Sequence, residues 1–150
     1  MTINVYLAAR YSRNAEMRGV RDVLEALPAG KGYGYKVTSR WIDLHSDVVG
    51  DFSSSFTADT LNTTPELCAP LGQHDLDDID RADWVINFTC GSGGKGGRHV
   101  EFGYAHAKGK RLIVVGPREN VFHSLGSVEW HSTWSHFVRS LCHVEAASPS

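Results

Sequence analysis

The fold is decided by residues 84–116, WVINFTCGSGGKGGRHVEFGYAHAKGKRLIVVG. An apolar segment begins this stretch, a glycine-rich loop and a helical pattern follow, and a second apolar segment ends it. If both apolar segments are parallel strands, the loop lies at the carboxyl edge of a sheet, where open α/β sheets bind their ligands. Glu101 then lies in the first turn of the helix, where the helix dipole favours an ionised carboxylate. An exposed helical Glu without a role is the alternative interpretation.

The rest of the chain repeats this alternation of strand and helix. Strand patterns occupy residues 4–8, 36–42, 84–89, 111–115 and 128–130, and helical patterns occupy residues 12–27, 74–83 and 98–108 and the stretch after residue 133. Alternation of this kind is typical of parallel sheets with right-handed crossovers. We therefore predict an α/β fold: a doubly wound sheet of about five mostly parallel strands, with helices on both faces.

One segment departs from the pattern. Residues 43–73 are rich in Ser, Thr and Asp, and Gly50 and two prolines interrupt them. Such a long connection is unusual within a domain unless it serves as a lid or binding loop, so we predict a partly helical lid over the sheet edge. A disordered surface loop is the alternative. We expect a single domain at residues 1–145 and a flexible tail at 146–150.

Composition argues against several classes of function. The chain has 15 Lys and Arg against 17 Asp and Glu, so it lacks the basic excess that binding to duplex nucleic acid requires. No apolar run approaches the length of a membrane span, and the N-terminus lacks a signal-peptide core, so we expect a cytoplasmic protein with a small-molecule partner. The spacing of the three Cys and eight His predicts neither a disulfide framework nor a metal site.

The glycine loop matches neither of two common nucleotide motifs. A dinucleotide fingerprint belongs after the first strand, where this chain has AARYS at residues 8–12. No Gly-Lys-Ser/Thr follows the glycines, which argues against a Walker motif. The loop backbone can nevertheless approach a ligand closely, because glycine carries no side chain.

Glu101, Asp75 and Tyr6 could converge on one pocket at this sheet edge. Two carboxylates and a phenol suit cleavage of a glycosidic bond, in which one carboxylate meets positive charge at the anomeric carbon and one acid protonates the leaving group. Considered separately, Asp75 could be a helix N-cap and Tyr6 a core residue with a locally satisfied hydroxyl.

Four segments resemble the nucleoside 2-deoxyribosyltransferase family, which includes the 2'-deoxynucleoside 5'-monophosphate N-hydrolases. They are VYLAARYSRNAEM at 5–17, HDLDDIDRADWVINF at 74–88, GGRHVEFGYAHAKGKRLIVVG at 96–116 and PRENVFH at 117–123. The resemblance implies a flavodoxin-like fold without a cofactor, in a homodimer or higher homo-oligomer whose neighbouring chain helps to close the pocket. It also implies that Glu101 is the nucleophile, that Asp75 assists at the base and that Tyr6 contacts the nucleophile.

The two loops contain further candidates for substrate binding. Arg10, Ser12 and Arg13 in the first loop, with Ser92 and Arg98 in the second, could bind a 5'-phosphate through charge-assisted hydrogen bonds. Alternatively, these arginines are solvated or pair with the acidic helix. Transferases of the family often carry another Asp shortly before the nucleophile, whereas residues 90–98 contain no acid. The remaining candidate contacts are Ala8, Gly91, Gly97 and Asn120, and His99 and His123 are interpreted as supporting groups.

The sequence thus predicts an enzyme that cleaves the N-glycosidic bond of a 2'-deoxynucleoside or its 5'-monophosphate. A covalent glycosyl-Glu intermediate would pass the sugar to another base or to water. A nucleotide-binding sensor without chemistry is the alternative. An interaction module would need a sizeable apolar surface patch, for which the sequence shows no clear candidate.

Overall fold

Buried apolar runs form the strands of this protein. The computed structural model describes residues 1–28, 34–43, 62–63, 65–90 and 96–146, the last four by backbone only. The strands are β1 (Thr2–Ala8), β2 (Gly34–Val37), β3 (Trp84–Phe88), β4 (Arg111–Val115) and β5 (Val128–His131). The α-helices are α1 (Asn14–Ala26), α2 (Pro65–Arg81), α3 (Gly97–Ala107) and α4 (Trp134–Ala146), with short 3₁₀ turns at Tyr11–Arg13, Arg40–Asp43 and Val121–Ser124.

The strands form one parallel sheet in the order β2-β1-β3-β4-β5. Ala8 at the end of β1 lies beside Asn87, which in turn lies beside Val114 of β4. This is the flavodoxin-like order, in which the strand sequence reverses between β1 and β3 and ligands bind at the carboxyl ends. The predicted α/β doubly wound fold is confirmed.

Helices cover both faces of the sheet. Helices α1 and α4 lie on one face, where Phe137 packs against Trp84 and Trp134 against Phe88. Successive side chains of a strand point to opposite faces, so Asn87 points to the other face, where its side chain contacts Arg98 of α3. Helices α2 and α3 pack together on that second face. The second face carries the candidate active site.

The prediction for the second strand was wrong. It extended to residue 42, but β2 ends at Val37 and residues 40–43 form a 3₁₀ turn. Trp41 and Ile42 are buried there, and the Trp41 indole donates a 2.8 Å hydrogen bond to the carbonyl of Leu7. A turn with buried hydrophobic side chains imitates the alternation of a strand.

The acidic helix is longer than predicted, because α2 begins at Pro65 and contains Pro70 in its interior. Residues 44–61 and 64 of the predicted lid lie outside the described residues, as does the tail beyond residue 146. Within the described part of the chain, no helix is long and apolar enough to cross a membrane.

Candidate active site

Helix α3 carries Glu101 as its fifth residue, with Gly96 at the N-cap. Gly96 adopts a left-handed backbone (φ 87°), which glycine reaches without strain. Because the helix begins one residue earlier than predicted, Glu101 lies in the second turn rather than the first. The helix dipole acts mainly within the first turn, so it supports the Glu101 carboxylate less than the sequence analysis expected.

The structure brings Tyr6 and Asp75 to Glu101. Tyr6 is fully buried on β1, and its hydroxyl makes no hydrogen bond of standard geometry within the described residues. The pKa of this phenol is nevertheless raised, first by burial and then by the neighbouring charges of Glu101 and Asp75. Asp75 is the eleventh residue of α2, so the N-cap interpretation is wrong. Tyr6, Asp75 and Glu101, the catalytic triad candidates of the sequence, therefore share one electrostatic environment.

Both carboxyl groups bind protons more tightly than usual. Burial, and then the charge of Asp75, raise the pKa of Glu101 to about 8, against the opposing effects of Tyr6 and Arg98. Burial, and then the charge of Asp78, raise the pKa of Asp75 to about 7. Two interacting carboxyl groups lose their protons as a pair, and these values describe the pair rather than fixed sites. Between the two values the pair holds one proton and one negative charge. The higher pKa of Glu101 favours the proton on that residue, so a reaction in which Glu101 attacks uses the other arrangement, with the proton on Asp75.

Asp78, which the sequence analysis did not single out, anchors α2. Its carboxylate is completely buried and accepts hydrogen bonds from the Arg40 backbone N–H at 2.9 Å and from Arg40 Nε at 2.8 Å. Arg81 also pairs with it. These contacts hold α2 against the turn after β2. Because Asp75 lies on the same helix, they also fix its position relative to Glu101.

Arg98 is placed differently from the prediction. Its guanidinium forms a two-pronged ion pair with Glu119, with Nη1–Oε1 and Nη2–Oε2 distances of 2.6 and 3.2 Å. The two side chains are only 7 % and 8 % exposed. Asn87 Oδ1 accepts a further, long hydrogen bond of 3.4 Å from Arg98 Nη1. Since Glu119 already neutralises this cation, the expected phosphate contact by Arg98 is not favoured.

The other predicted binding residues are dispersed. Arg13 pairs with Glu16 at 2.8 Å and lies over the Phe88 ring, on the face of the sheet opposite Glu101. Asn120 accepts a hydrogen bond from the Phe122 backbone and contacts His99. Ala8 is buried at the end of β1, Gly97 begins α3, Ser12 is exposed and Arg10 is partly buried. Gly91 and Ser92 lie outside the described residues.

The larger open crevice does not contain the carboxyl pair. A crevice of about 640 Å³ lies between α1 and the start of α4, where Arg13 and Glu16 neutralise each other. A smaller one of about 350 Å³ lies on the outer side of α3. We place the chemistry at Tyr6, Asp75 and Glu101, because perturbed titratable groups that act on one another mark functional sites better than cavity size does.

His123 is held in place as a supporting group. It is almost fully buried, and its Nδ1 accepts a 3.0 Å hydrogen bond from the Glu119 backbone N–H. Burial lowers its pKa, which keeps the ring neutral, and its ring packs edge-on against Phe102 of α3. Within the described part of the chain, no three His, Cys, Asp or Glu side chains converge as metal ligands would.

The fold and the site together define a flavodoxin-like α/β protein with a partly buried carboxyl pair beside a tyrosine. The CMP N-glycosidase BcmB of Clostridium botulinum, a solved structure, is similar in fold, with a TM-score of 0.52 and 21 % sequence identity. The match covers 93 % of this chain and 98 % of that chain. No protein-family model matches this sequence, and no curated protein does.

Proposed function

We propose that this protein is an enzyme that cleaves the N-glycosidic bond of a 2'-deoxynucleoside or its 5'-monophosphate. The observation that carries the proposal is the meeting of Tyr6, Asp75 and Glu101 from β1, α2 and α3, with the pKa of both carboxyl groups raised. Two kinds of likeness support it. The sequence resembles the nucleoside 2-deoxyribosyltransferase family at these three residues, and BcmB, with a similar fold, is a CMP N-glycosidase.

In the first half-reaction, the Glu101 carboxylate attacks the anomeric carbon C1'. The bond from C1' to the base nitrogen breaks, and its electron pair leaves with the base. Asp75, as the protonated member of the pair, donates its proton to that base. A glycosyl ester on Glu101 remains, which divides one difficult displacement into two easier ones.

In the second half-reaction, water or another base attacks C1' and releases the Glu101 carboxylate. Asp75, now ionised, accepts the proton of the incoming group. The stereochemistry at C1' is retained, because each of two displacements inverts it. Hydrolysis and transfer therefore share every residue of the site and differ only in the group that receives the sugar.

Tyr6 serves this chemistry as a hydrogen-bond donor beside Glu101. A buried hydroxyl without a standard partner has no competing interaction to give up, so it can donate to the carboxylate when that group ionises. Its raised pKa keeps the phenol protonated throughout the working range of the carboxyl pair. It thereby orients the oxygen that attacks C1'.

The proposal is tested by screening common nucleosides and nucleoside monophosphates for released base, with and without an acceptor base. The ribo and deoxyribo forms are compared in parallel. We expect base release from at least one compound, and a new nucleoside if transfer occurs. Binding that saturates without any released base would instead identify the alternative, a nucleotide-binding sensor.

The role of Glu101 is tested with Glu101→Gln, which keeps the shape of the side chain but removes the nucleophile. Turnover should fall by about 10³-fold or more, while the far-UV spectrum is retained and the variant still unfolds cooperatively. The control is Glu66→Gln at an exposed position of α2, which should retain full activity. Substantial activity in purified Glu101→Gln would refute this mechanism.

The homo-oligomer implied by the resemblance stays a prediction. Val100, Val121 and Phe122 are 67 %, 79 % and 60 % exposed, so they leave apolar surface available on the outer side of α3. Light scattering of the purified chain decides the matter: a monomer at micromolar concentration would contradict the prediction.

A further inference from the structure

The ion pair of Arg98 and Glu119 is unusual because both members are almost fully buried. Bidentate geometry and the added contact of Asn87 Oδ1 hold the guanidinium in one orientation. A buried ion pair contributes little to stability compared with a well-packed apolar pair. Its presence beside a reactive site therefore calls for a functional reason.

Arg98 lies three residues before Glu101 on α3, and side chains with this spacing are neighbours on a helix surface. The charged and titratable groups that act on Glu101 are Tyr6 from β1, Asp75 from α2 and Arg98 from its own helix. The Asp75 charge opposes ionisation of Glu101, whereas Tyr6 and Arg98 favour it. Arg98 supplies the positive charge in this set, and its pairing with Glu119 reduces the effect of that charge on Glu101 without cancelling it.

We propose that Arg98, held by Glu119 and Asn87, is a positioning residue that makes it easier for the Asp75–Glu101 pair to carry its negative charge on Glu101. The singly protonated pair has two arrangements, and only one has the charge on the nucleophile and the proton on the acid. A fixed cation beside Glu101 lowers the energy of that arrangement. Glu119 and Asn87 hold the guanidinium, so it cannot swing away toward solvent or a substrate phosphate.

This inference rests on the proposed function, and it also makes a prediction that needs no turnover. The experiment removes the ion pair as a unit in Arg98→Gln/Glu119→Gln and in Arg98→Met/Glu119→Leu, so that no buried charge is left without a partner. Two neutral versions are used because polar and apolar replacements fail to fold for different reasons. Arg98→Lys is the matched control, since it keeps the charge on the same backbone position.

The first readout is the titration of the Glu101 carboxyl carbon by ¹³C NMR, assigned by its absence in Glu101→Gln. The second is the dependence of kcat/KM on pH. Without the cation, we expect Glu101 to titrate about one pH unit higher, and kcat/KM on the acid side to fall about tenfold in parallel. Arg98→Lys should fall between wild type and the neutral variants in both measurements, because it keeps the charge but not the two-pronged pairing with Glu119.

A folded neutral variant with an unchanged Glu101 titration would overturn the inference and leave Arg98 as a structural residue only. The same holds if Arg98→Lys shifts the titration as far as the neutral variants do. Failure of the proposed function is distinguishable, because it would appear as wild-type protein that releases no base from any nucleotide. The NMR titration would still decide the role of Arg98 in that case.

Discussion

The carboxyl group of Glu101 lies where two opposing electrostatic effects meet. The dipole of α3 favours its ionised form but weakens beyond the first turn, and Glu101 is in the second. Burial and the nearby Asp75 favour the neutral form, and they prevail, because the pKa rises to about 8. Removal of water from a carboxyl group has a larger effect than a partial charge one turn away. Near neutral pH the carboxyl pair thus holds one proton and one negative charge, the state that the proposed mechanism requires.

Asp75→Asn should change the pH profile in a specific direction. In the wild type, kcat/KM should follow a bell, since below about pH 7 both carboxyl groups are protonated and above about pH 8 both are ionised. The substitution removes the charge that opposes ionisation of Glu101, so the acid limb should move to lower pH by about one unit. The alkaline limb of the kcat/KM profile should disappear, since it reflects the ionisation of the general acid Asp75, which the variant lacks.

Steady-state kinetics between pH 5 and 10 measure both limbs. The maximal rate should also fall, by about 10² to 10⁴-fold, because no group protonates the departing base. The loss should be smallest for nucleosides whose base leaves most easily. An alkaline limb that survives unchanged in Asp75→Asn would assign the general acid to another group.

The sequence indicated the three candidate catalytic residues, but it did not indicate the residues that hold them in place. Tyr6, Asp75 and Glu101 were identified from local patterns and a resemblance, and the structure brings them together. Asp78, Asn87 and Glu119 were missed, because their roles depend on contacts between residues 11 to 38 positions apart. Asp78 is the one fully buried carboxylate in the acidic run of residues 75–80, and the sequence alone does not distinguish it from its more exposed neighbours. No local pattern marks Glu119 as the partner of Arg98.

Among the elements, α2 decides whether Asp75 reaches the site. The helix is tied to the turn after β2 through Asp78, and Thr38 Oγ1 donates a 3.0 Å hydrogen bond to the Asp78 carbonyl. The two largest errors in the predicted bounds of the elements concern this connection. The start of α2 was predicted too late, because proline normally interrupts a helix and Pro70 lies inside this one. The end of β2 was also predicted too late, because the buried Trp41 makes a 3₁₀ turn resemble a strand in sequence.

Asp78→Asn should loosen this attachment. The amide cannot accept all the hydrogen bonds of the carboxylate, and its N–H groups face the two arginines, so we expect the free energy of unfolding to fall by about 1 to 3 kcal/mol. The negative charge that raises the pKa of Asp75 is also removed, so Asp75 should titrate at lower pH. The alkaline limb of kcat/KM should then move to lower pH, provided that the variant is folded.

Urea unfolding and the pH profile test the two effects separately. Glu66→Gln, at an exposed position of the same helix, is the control and should change stability only slightly. If Asp78→Asn is as stable as Glu66→Gln, α2 is held by other contacts. If the alkaline limb is unmoved in a folded variant, Asp78 does not act on the acid of the pair.

Across the whole molecule, the strand order places the candidate catalytic residues. The order β2-β1-β3-β4-β5 sets β1 next to β3, so that Tyr6 lies beneath the helices that precede and follow β3. The alternation of strand and helix predicted a parallel sheet with helices on both faces, because fully buried strands read as apolar runs. The order itself could not be deduced from periodicity, since it depends on pairing between distant segments, and it came only from the family resemblance.

The carboxyl pair also has a consequence for the stability of the whole fold. Glu101 and Asp75 have higher pKa values in the folded chain than the usual 4.5 and 3.8, so the folded state holds more protons than the unfolded state between about pH 4 and pH 8. Stability falls with rising pH wherever the folded state binds more protons. The loss of stability that the two carboxyl groups cause is therefore absent at acid pH, grows through neutrality and is complete above about pH 8.

Glu101→Gln should consequently stabilise the fold, and more so at alkaline pH. The difference in free energy of unfolding between variant and wild type should increase from acid to alkaline pH by a value on the order of 2 kcal/mol, discounted for the partial exposure of the side chain. Glu16, Glu119 and Glu129, whose pKa values are lowered, act in the opposite sense but only below about pH 4.5, and they are common to both proteins. Urea titrations at pH 5, 7 and 9 measure the difference. A gap that stays constant across this range would mean that the Glu101 carboxyl group is solvated, and that the nucleophile does not have the buried environment on which its chemistry depends.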